Sequence, residues 1–515
     1  MQLIMNYKHK IKTPKELLKL IGERPRKKVI IMCHGVFDIV HPGHLRHLLY
    51  AKSKADILVV SVTADKYINK GLYRPHIPQE LRAANLAAYE FVDYVVIDTH
   101  EKPLDNIAFI QPDLFAKGYE YVTDGMPMKT IEEAAVVESY GGEMVFTPGD
   151  IVFSSSKFIE MAPPNIRSEK LLALMDRDQF DFDTLRKCVY KIGKCKVHVV
   201  GDTIVDTITS TTLIGGQIKT PTISVKYDGS RDYVGGAGIV ALHLKEAGAD
   251  VIFSTVLGKD RLKDFVLKTL TEKGVECRAI LSPSRPTTNK NVIVTDGYRL
   301  LKVDTVDNRS ISDRSLQELA GNIRSITSEA IVFSDFRHGI FNNRTIPNLI
   351  SAIPAGVFRV ADSQVASRWG NITEFQGFDL ITPNEREARF ALGDQESGIR
   401  PLASRLYDVA GCGTLIMKMG DRGVLACRSN QHEALDSYCV VDSFVEHLVD
   451  PIGAGDALLA YSTLAMKVLG NVAIATVIGS LAAACECEQD GNVPIRPEFV
   501  LDKIDAIEKQ THLKY

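Results

Sequence analysis

The chain has 515 residues, of which 45% are hydrophobic and 24% are charged, and its formal net charge is −3. A chain of this length is too long to fold around a single hydrophobic core, so we expect two or three globular domains. The near-neutral charge lacks the basic field of a nucleic-acid-binding protein, so we expect no nucleic-acid partner. The nine cysteines include no Cys-x-x-Cys pair, which favours reduced thiols and a cytoplasmic protein.

Strand-like and helix-like segments alternate in the first third of the chain. Short apolar runs at Lys28–Met32, Ile57–Thr63 and Tyr94–Ile97 are typical of buried strands. Helical patterns lie between them at Leu45–Lys54 and Leu81–Glu90. This alternation predicts an α/β domain in which helices cover both faces of a parallel sheet.

Pro163-Pro164 interrupts that alternation, and a charged helical stretch follows. We therefore predict a first domain at residues 1–165, a helical linker at 166–195 and a second domain at 196–515. The second domain begins a new pattern with six predicted strands, at Lys196–Val200, Val251–Ser254, Asn291–Thr295, Ala330–Ser334, Leu380–Thr382 and Thr414–Lys418. Its apolar stretch Ala457–Cys485 is interrupted by Lys467 and Asn471, which predicts a buried helix pair rather than a membrane span.

The string His41-Pro42-Gly43-His44 follows the first predicted strand and begins a helix. Two histidines separated by a Pro-Gly turn can both face the end of the sheet, where helix amides favour negative charge. Imidazoles there can donate hydrogen bonds to phosphate oxygens while charge builds on them. The motif therefore indicates attack on the α-phosphorus of a nucleoside triphosphate. His34 lies nearby, and we interpret it as a packed histidine satisfied by its neighbours.

The extended string from Gly35 to His44 resembles the nucleotidyltransferase superfamily of cytidylyl- and adenylyltransferases, whose signature is His-x-Gly-His. The resemblance implies a Rossmann-like domain that uses ATP or CTP with Mg²⁺, with His41 and His44 stabilising the transition state. It also implies nucleotide- or phosphate-binding roles for residues along the domain, namely Gly35, Phe37, Asp38, Gly43, Lys70, Arg82, Lys117, Ser154, Ser155 and Ser156.

A second motif, Gly453-Ala454-Gly455-Asp456, begins a helix near the carboxyl terminus. Its glycines let the backbone approach a phosphate closely, and the helix directs amide N–H groups at that phosphate. The Asp456 carboxylate can accept the proton of a hydroxyl that attacks a γ-phosphorus. This pattern indicates a phosphotransferase site.

The second motif resembles the ribokinase-like (PfkB) sugar kinases, in which Asp456 is the catalytic base. The resemblance implies an α/β domain with a small β lid, formed here by Gln217–Tyr233, and ATP with Mg²⁺ as the phosphate donor. It implies sugar binding by Asp202, Asp206, Gly235 and Gly236. It implies nucleotide or phosphate binding by Asn384, Glu387, Lys418, Gly420, Gly423, Gly453, Ala454 and Gly455, with Asn384 and Glu387 acting on Mg²⁺ indirectly.

Two residues depart from the pattern of those kinases. Pro451 replaces a threonine, and Ile239 replaces an asparagine whose amide would bond to a sugar hydroxyl. An apolar side chain cannot replace that bond, which is a loss of about 1–3 kcal/mol where a buried group stays unpaired. Either the sugar differs from that of the relatives, or the kinase half is impaired.

Together the two halves resemble the bifunctional heptose-phosphate kinases and heptose-1-phosphate adenylyltransferases, with the domain order reversed. This predicts a bifunctional enzyme of nucleotide-sugar biosynthesis that phosphorylates a sugar or sugar phosphate and transfers a nucleotidyl group to a sugar 1-phosphate. We expect small-molecule sugar phosphates and nucleotides as partners, no membrane, and a homodimer formed through the lid. The alternative is an active transferase with a kinase-like domain that senses a sugar or nucleotide without turnover. The identity of the sugar, its anomer and the nucleotide base stay open.

Overall fold

The computed structural model describes residues 7–68, 74–118, 128–147, 167–214, 223–364, 371–434 and 436–512. The chain divides into two compact units, Met1–Ala173 with Glu433–Leu435, and Leu174–His432 with Asp436–Tyr515. Four predicted site residues, Lys70, Ser154, Ser155 and Ser156, lie outside the described residues, as do Pro163 and Pro164.

In the described part of the first unit, five parallel strands form one sheet in the order β3-β2-β1-β4-β5. The strands are β1 (Ile30–Gly35), β2 (Ile57–Thr63), β3 (Tyr94–Asp98), β4 (Leu114–Gly118) and β5 (Glu143–Thr147). The helices are α1 (Pro14–Ile21), α2 (Pro42–Lys52), α3 (Gln79–Ala87), α4 (Leu104–Ile110) and α5 (Met128–Ser139). The strand order reverses between β1 and β4, and ligands bind at the carboxyl ends of strands beside such a reversal.

Successive side chains of β1 point to opposite faces of the sheet, and both faces are buried. Ile31 and Cys33 join a core that includes Leu48 of α2 and Leu86 of α3. Ile30 and Met32 join a second core with Leu17 of α1 and Ile107 of α4. The predicted parallel sheet with helices on both faces is therefore confirmed.

Two helices, α6 (Arg167–Arg177) and α7 (Phe182–Lys191), precede the large sheet of the second unit. Asp181 caps α7 by accepting a hydrogen bond from the Thr184 N–H. Arg186 of α7 donates to Asp505 and Glu508 of the final helix. These bonds make α7 part of the second unit's own packing.

The described strands of the second unit form a nine-stranded sheet in the order β10-β9-β6-β13-β14-β15-β16-β17-β18. Neighbours from β10 to β16 are parallel, and β17 and β18 continue the sheet antiparallel. The strands are β6 (Lys196–Gly201), β9 (Asp250–Gly258), β10 (Glu276–Ser282), β13 (Ala330–Asp335), β14 (Phe358–Ser363), β15 (Leu380–Ile381), β16 (Thr414–Lys418), β17 (Val424–Cys427) and β18 (Tyr438–Val441). Phe333 at its centre contacts the rings of Phe341, Phe375 and Phe378.

The helices of this unit cover both faces of the large sheet, as expected for a doubly wound α/β fold. They are α8 (Ala237–Glu246), α9 (Arg261–Glu272), α10 (Asp313–Ser325), α11 (Ile346–Ser351), α12 (Glu385–Leu392), α13 (Ile399–Ala410), α14 (Ala454–Leu469), α15 (Val472–Cys487) and α16 (Pro497–His512). The α14–α15 pair is the buried helix pair that the sequence predicts. Among the described residues, no helix is both long and apolar enough to cross a membrane.

A second sheet in this unit is larger than the predicted lid. Its described strands lie in the order β12-β11-β7-β8 and comprise β7 (Thr203–Leu213), β8 (Val225–Gly236), β11 (Thr288–Thr295) and β12 (Tyr298–Thr305). The predicted lid segment, Gln217–Tyr233, covers only part of this sheet: its residues 225–233 lie in β8, and β7, β11 and β12 contribute the other described strands. Strand β7 pairs with β11, which lies over 80 residues further along the chain. A pairing over this distance has no local sequence pattern from which it could be predicted.

Candidate active sites

The two motif histidines lie together at the start of α2, beside the carboxyl end of β1. Their ring centroids are 3.9 Å apart. His41 is the N-cap residue, and its Nδ1 accepts a hydrogen bond from the Gly43 N–H at 3.1 Å. An acceptor Nδ1 leaves the ring proton on Nε2 of the neutral imidazole, so Nε2 is a donor.

His44 has a neutral imidazole at physiological pH, and its ring makes a hydrogen bond with the Ile39 backbone. Burial, with smaller contributions from His41 and His47, lowers the pKa of His44 to about 4. Its ring also packs against Phe37, at a centroid distance of 5.2 Å. Phe37 has a positive φ of 50°, which turns the chain sharply between β1 and the histidines.

Asp38 organises the loop opposite the histidines. Its Oδ1 accepts hydrogen bonds from the N–H groups of His76 and Ile77 at 2.9 and 3.0 Å. Its Oδ2 is buried and has no hydrogen-bond partner among the described residues. Such an atom is costly unless something donates to it, so Asp38 is a candidate to receive a polar group of the nucleotide.

Arg82 has a different role from the phosphate contact that the resemblance implies. The side chain is fully buried, and it donates to the carbonyls of Ile77, Val36 and Thr63 and to the Asp65 carboxylate. Four of the five guanidinium N–H donors are thus used within the fold, and the fully buried side chain offers no surface to a phosphate. We therefore correct its assignment: Arg82 supports the loop that follows β1.

Lys117 and His34 occupy the neighbouring strand ends. Lys117, at the end of β4, lies 2.7 Å from the buried carboxylate of Glu133. Burial lowers the pKa of Lys117 and this carboxylate opposes the shift. His34 bonds Ser61 at 2.9 Å and Thr63 at 3.1 Å, which confirms it as a histidine satisfied by its neighbours.

The glycine motif of the second unit forms the amino end of α14. Gly453, with φ of 88°, is the N-cap residue, and Asp456 lies in the first helical turn. Burial and the nearby Asp362 carboxylate raise the pKa of Asp456 to about 8, against the opposing charge of Lys418. The Asp456 Oδ1 is buried without a partner in the described part of the chain. This is the environment of a proton acceptor poised near neutral pH.

Lys418 connects several predicted residues to this motif. Its Nζ bonds Asp362 at 2.8 Å and stands 3.4 Å from where a Cβ on Gly455 would lie. Burial disfavours its charge, but Asp362 and Glu387 outweigh that effect and raise the pKa of Lys418. Asn384 pairs with Lys418 through a backbone bridge. An open cavity here includes Asn384, Lys418 and Gly420 among its lining residues.

Asn384 and Glu387 are held by a capping box at the start of α12. The Asn384 side chain accepts from the Glu387 N–H at 2.8 Å, and Glu387 accepts from the Asn384 N–H at 2.7 Å. Carboxylate oxygens of Glu387, Asp362 and Asp456 all act on Lys418. The described residues hold no cluster of three or more metal-ligating side chains, so a Mg²⁺ ion here would take most of its ligands from nucleotide phosphates and water. Gly420 and Gly423 lie on the short turn between β16 and β17.

Asp202 is one of the two carboxylates predicted to bind sugar, but its oxygens accept hydrogen bonds from the protein backbone. It accepts hydrogen bonds from the N–H groups of Phe336, His338 and Ile340 at 3.1, 3.1 and 3.3 Å. It is 3% exposed, so we correct its assignment from sugar contact to anchor of the loop after β13.

The second of these carboxylates, Asp206, lies against the Gly235–Gly236 turn. A Cβ on Gly235 would lie 2.1 Å from the Asp206 Oδ2, so only glycine fits there. Gly236 follows with φ of 60° and precedes α8. Burial raises the pKa of Asp206, and the charge of Lys290 opposes that shift. Ile239, one turn into α8, is fully buried, so an apolar contact occupies the place of the expected amide.

Sequence reasoning missed a basic group on the second sheet. Burial and the charge of Lys302 lower the pKa of Lys290, against Asp206, Asp304 and Asp456. The charges of Lys290, Arg285 and Lys302 also act on the buried His338, whose pKa burial lowers to about 4. Asp362, at the end of β14, was missed as well. An Asp-Ser pair after an apolar run was the available signal for Asp362, whereas Lys290 carries none.

Comparison with known proteins agrees with this geometry. The model of the pfkB family carbohydrate kinases matches residues 194–496, so the chain belongs to this family. The cytidylyltransferase-like model matches residues 32–171. The two domains therefore follow each other in the order that the motifs predict.

Curated relatives match the amino-terminal part of the chain. The bifunctional protein HldE of Campylobacter jejuni subsp. doylei is 38% identical over 159 residues, which are 30% of this chain and 32% of that protein. HldE of Geobacter sulfurreducens is 38% identical over 127 residues, 24% of this chain and 25% of that protein. The alignments thus span about a third or less of the relatives' length.

Among solved structures, the tetrameric inhibited form of phosphofructokinase-2 from Escherichia coli is similar with a TM-score of 0.51. The match covers 61% of this chain and 99% of that chain at 15% identity. At this identity the likeness establishes the ribokinase-like fold of the second unit.

We predict that Arg82→Ala lowers the free energy of unfolding by about 3–5 kcal/mol, because it removes the guanidinium that pairs with the buried Asp65 carboxylate. Denaturant titration followed by circular dichroism measures this change. Asn85→Ala, on the exposed side of the same helix, is the matched control and should change little. Unaltered stability of Arg82→Ala, with loss of nucleotide binding alone, would return Arg82 to phosphate contact.

Proposed function

We propose that the chain is a bifunctional enzyme of nucleotide-sugar biosynthesis. One site phosphorylates a sugar phosphate with ATP, and the other transfers a nucleotidyl group from ATP or CTP to a sugar 1-phosphate with release of pyrophosphate. The observation that carries the proposal is the buried Asp456 behind the glycine turn of α14, with Lys418 beside it. The paired His41 and His44 at the start of α2 support the second activity.

In the kinase site, the acceptor hydroxyl attacks the γ-phosphorus of ATP while Asp456 accepts its proton. The amide N–H groups of Ala454 and Gly455 point out of the helix end and stabilise charge on the transferred phosphoryl group. Lys418 adds a positive charge held in place by Asp362. Mg²⁺ bound with Asn384 and Glu387 would neutralise phosphate charge.

The basic group on the second sheet supports an acceptor that already carries a phosphate. Lys290 and Lys302 lie close enough to Asp206 for their charges to affect the pKa of that carboxyl. Lys302 lies 3.9 Å from Asp304, and carboxylates also act on Lys290; a phosphate dianion gives both cations a stronger partner than a sugar hydroxyl does. We therefore propose that Asp206 binds a hydroxyl of the sugar while Lys290 and Lys302 hold its distal phosphate.

In the transferase site, the sugar 1-phosphate oxygen attacks the α-phosphorus and pyrophosphate leaves. His41 donates from Nε2 and His44 donates as a neutral ring, so both bind the developing negative charge without a covalent intermediate. Lys117 adds positive charge at the end of β4. Both substrates are cytoplasmic metabolites in this scheme, and the exposed Tyr227, Leu301 and Val303 of the second sheet support a homodimer through the lid.

We predict that Asp456→Asn lowers kcat for ADP formation by about 100-fold or more, because an amide cannot accept the hydroxyl proton. Pyrophosphate release should be preserved and serves as the internal control for folding. On the acidic side of its pH profile, wild-type kcat/KM should rise as Asp456, whose pKa is raised to about 8, loses its proton, since the ionised form is the base. Undiminished ADP formation in the variant would refute this role.

We predict that His44→Ala lowers kcat for pyrophosphate release by about 100- to 1,000-fold, because one donor to the transition state is lost. Release from CTP and from ATP with a panel of sugar 1-phosphates measures the effect and identifies the base. ADP formation should be unchanged in the same preparation. Equal turnover of variant and wild type would exclude His44 from catalysis.

We predict that Lys290→Met raises KM for a sugar-phosphate acceptor by about 10-fold or more and leaves KM for ATP unchanged, because one charged hydrogen bond is lost. Lys226→Met, an exposed lysine of β8 paired with Asp228, is the matched control. If both variants have the wild-type KM for the acceptor, Lys290 does not bind the acceptor's phosphate.

The second candidate function is an active transferase whose kinase-like domain senses a sugar or nucleotide without turnover. The buried Ile239 favours it, because the amide expected at that position is absent. Wild-type enzyme that releases pyrophosphate but forms no ADP with any sugar phosphate of the panel would establish the sensor in place of the kinase.

A further inference from the structure

The glycine turn of the kinase site rests on two polar side chains outside the motif. A Cβ on Gly453 would lie 2.3 Å from the Asn492 Oδ1 and 2.7 Å from the Glu486 Oε1. Glu486 belongs to the last turn of α15, and Asn492 lies in the loop that follows α15. The backbone of the Gly453 turn therefore packs directly against the Glu486 carboxyl group and the Asn492 amide group.

Both side chains present buried oxygens that lack a donor. Glu486 is fully buried, and its Oε1 accepts from the Val493 N–H at 3.2 Å. Its Oε2 and the Asn492 Oδ1 have no hydrogen-bond partner within the described residues. The two oxygens beside Gly453 are Glu486 Oε1 and Asn492 Oδ1, and only a protonated Glu486 carboxyl can donate a hydrogen bond to the Asn492 oxygen.

The charges around Glu486 also disfavour its ionised form. Burial raises the pKa of Glu486 to about 8; the Val493 amide opposes this, and Asp456 and Asp450 add to it. Arg299 of β12 faces Asp450 at 3.8 Å rather than Glu486. Lys503 of α16 is taken by Glu488 at 2.9 Å.

We propose that Glu486 is a positioning residue of the kinase site, in which its protonated carboxyl donates a hydrogen bond to the Asn492 side-chain oxygen and so fixes the Gly453 turn. This inference rests on the proposed kinase function. Ionisation of Glu486 removes the donor and places a second negative charge beside Asp456. The Gly453 turn then loses the hydrogen bond that fixes it, and the added negative charge disfavours the approach of ATP phosphates.

Two substitutions distinguish the effect of the Glu486 proton from the effect of the size of the side chain. Glu486→Gln keeps a donor at the same place and cannot ionise, whereas Glu486→Leu removes the donor. The measurement is kcat/KM for ADP formation between pH 6 and 10. Glu318→Gln, an exposed glutamate of α10 outside the site, is the control and should follow the wild-type profile.

We expect the wild-type profile to fall at alkaline pH, the Glu486→Gln profile to keep the Asp456 rise but lose that fall, and Glu486→Leu to be about 10-fold lower at its best pH. If Glu486→Gln is as impaired as Glu486→Leu, the carboxylate acts in its ionised form and the proposal is overturned. An alkaline fall that persists in Glu486→Gln overturns it equally.

A thermal readout tests the proton without any turnover. The folded-state pKa of Glu486 is raised above its ordinary value of 4.5 to about 8, so its stabilising contribution is present at low pH and is lost as pH rises through that window. The Tm of the wild type should therefore fall relative to Glu486→Gln between about pH 5 and 8, while Glu318→Gln tracks the wild type. A constant Tm difference overturns the proposal, and a protein that passes this test but forms no ADP refutes the kinase function instead.

Discussion

The kinase half is arranged around one buried ion pair, in which Lys418 bonds Asp362 at 2.8 Å. A buried pair is stable only when its remaining hydrogen bonds are satisfied, and the Thr382 hydroxyl supplies one of them to Asp362 at 2.9 Å. The three residues end β14, β15 and β16, so the pair joins the carboxyl ends of adjacent strands. Because the ammonium group lies against Gly455, the same pair sets the distance between the large sheet and the helix that carries Asp456.

The features that sequence reasoning predicted are those encoded over a few residues. An apolar run such as β2 and a helix signal such as His41-Pro42-Gly43 are local, and the structure has a buried strand and a helix start there. The α14–α15 pair followed from composition alone, since apolar residues on all sides of a helix require burial. The parallel sheet followed from the alternation of these elements, because crossover connections make neighbouring strands parallel.

Long-range contacts account for what sequence reasoning missed or misassigned. Arg82 and Asp202 have the right charge for a ligand, but backbone groups up to 138 residues away use their hydrogen bonds. Asp362 belongs to the site because it forms an ion pair with Lys418, which lies 56 residues further along the chain. Glu486 follows an Ala-rich helical run in which nothing marks it. A sequence shows which side chains can ionise or donate, but only the fold shows which of them are already engaged.

The hydrogen bond from the Gly43 N–H to His41 has a consequence for how the transferase site is assembled. A nitrogen that caps a helix is committed as an acceptor, so forming the first turn of α2 and choosing the tautomer of His41 are a single event. His41 cannot take the other tautomer without releasing the Gly43 N–H. The donor that the ring turns toward a ligand and the order of the helix end are therefore maintained by the same hydrogen bond.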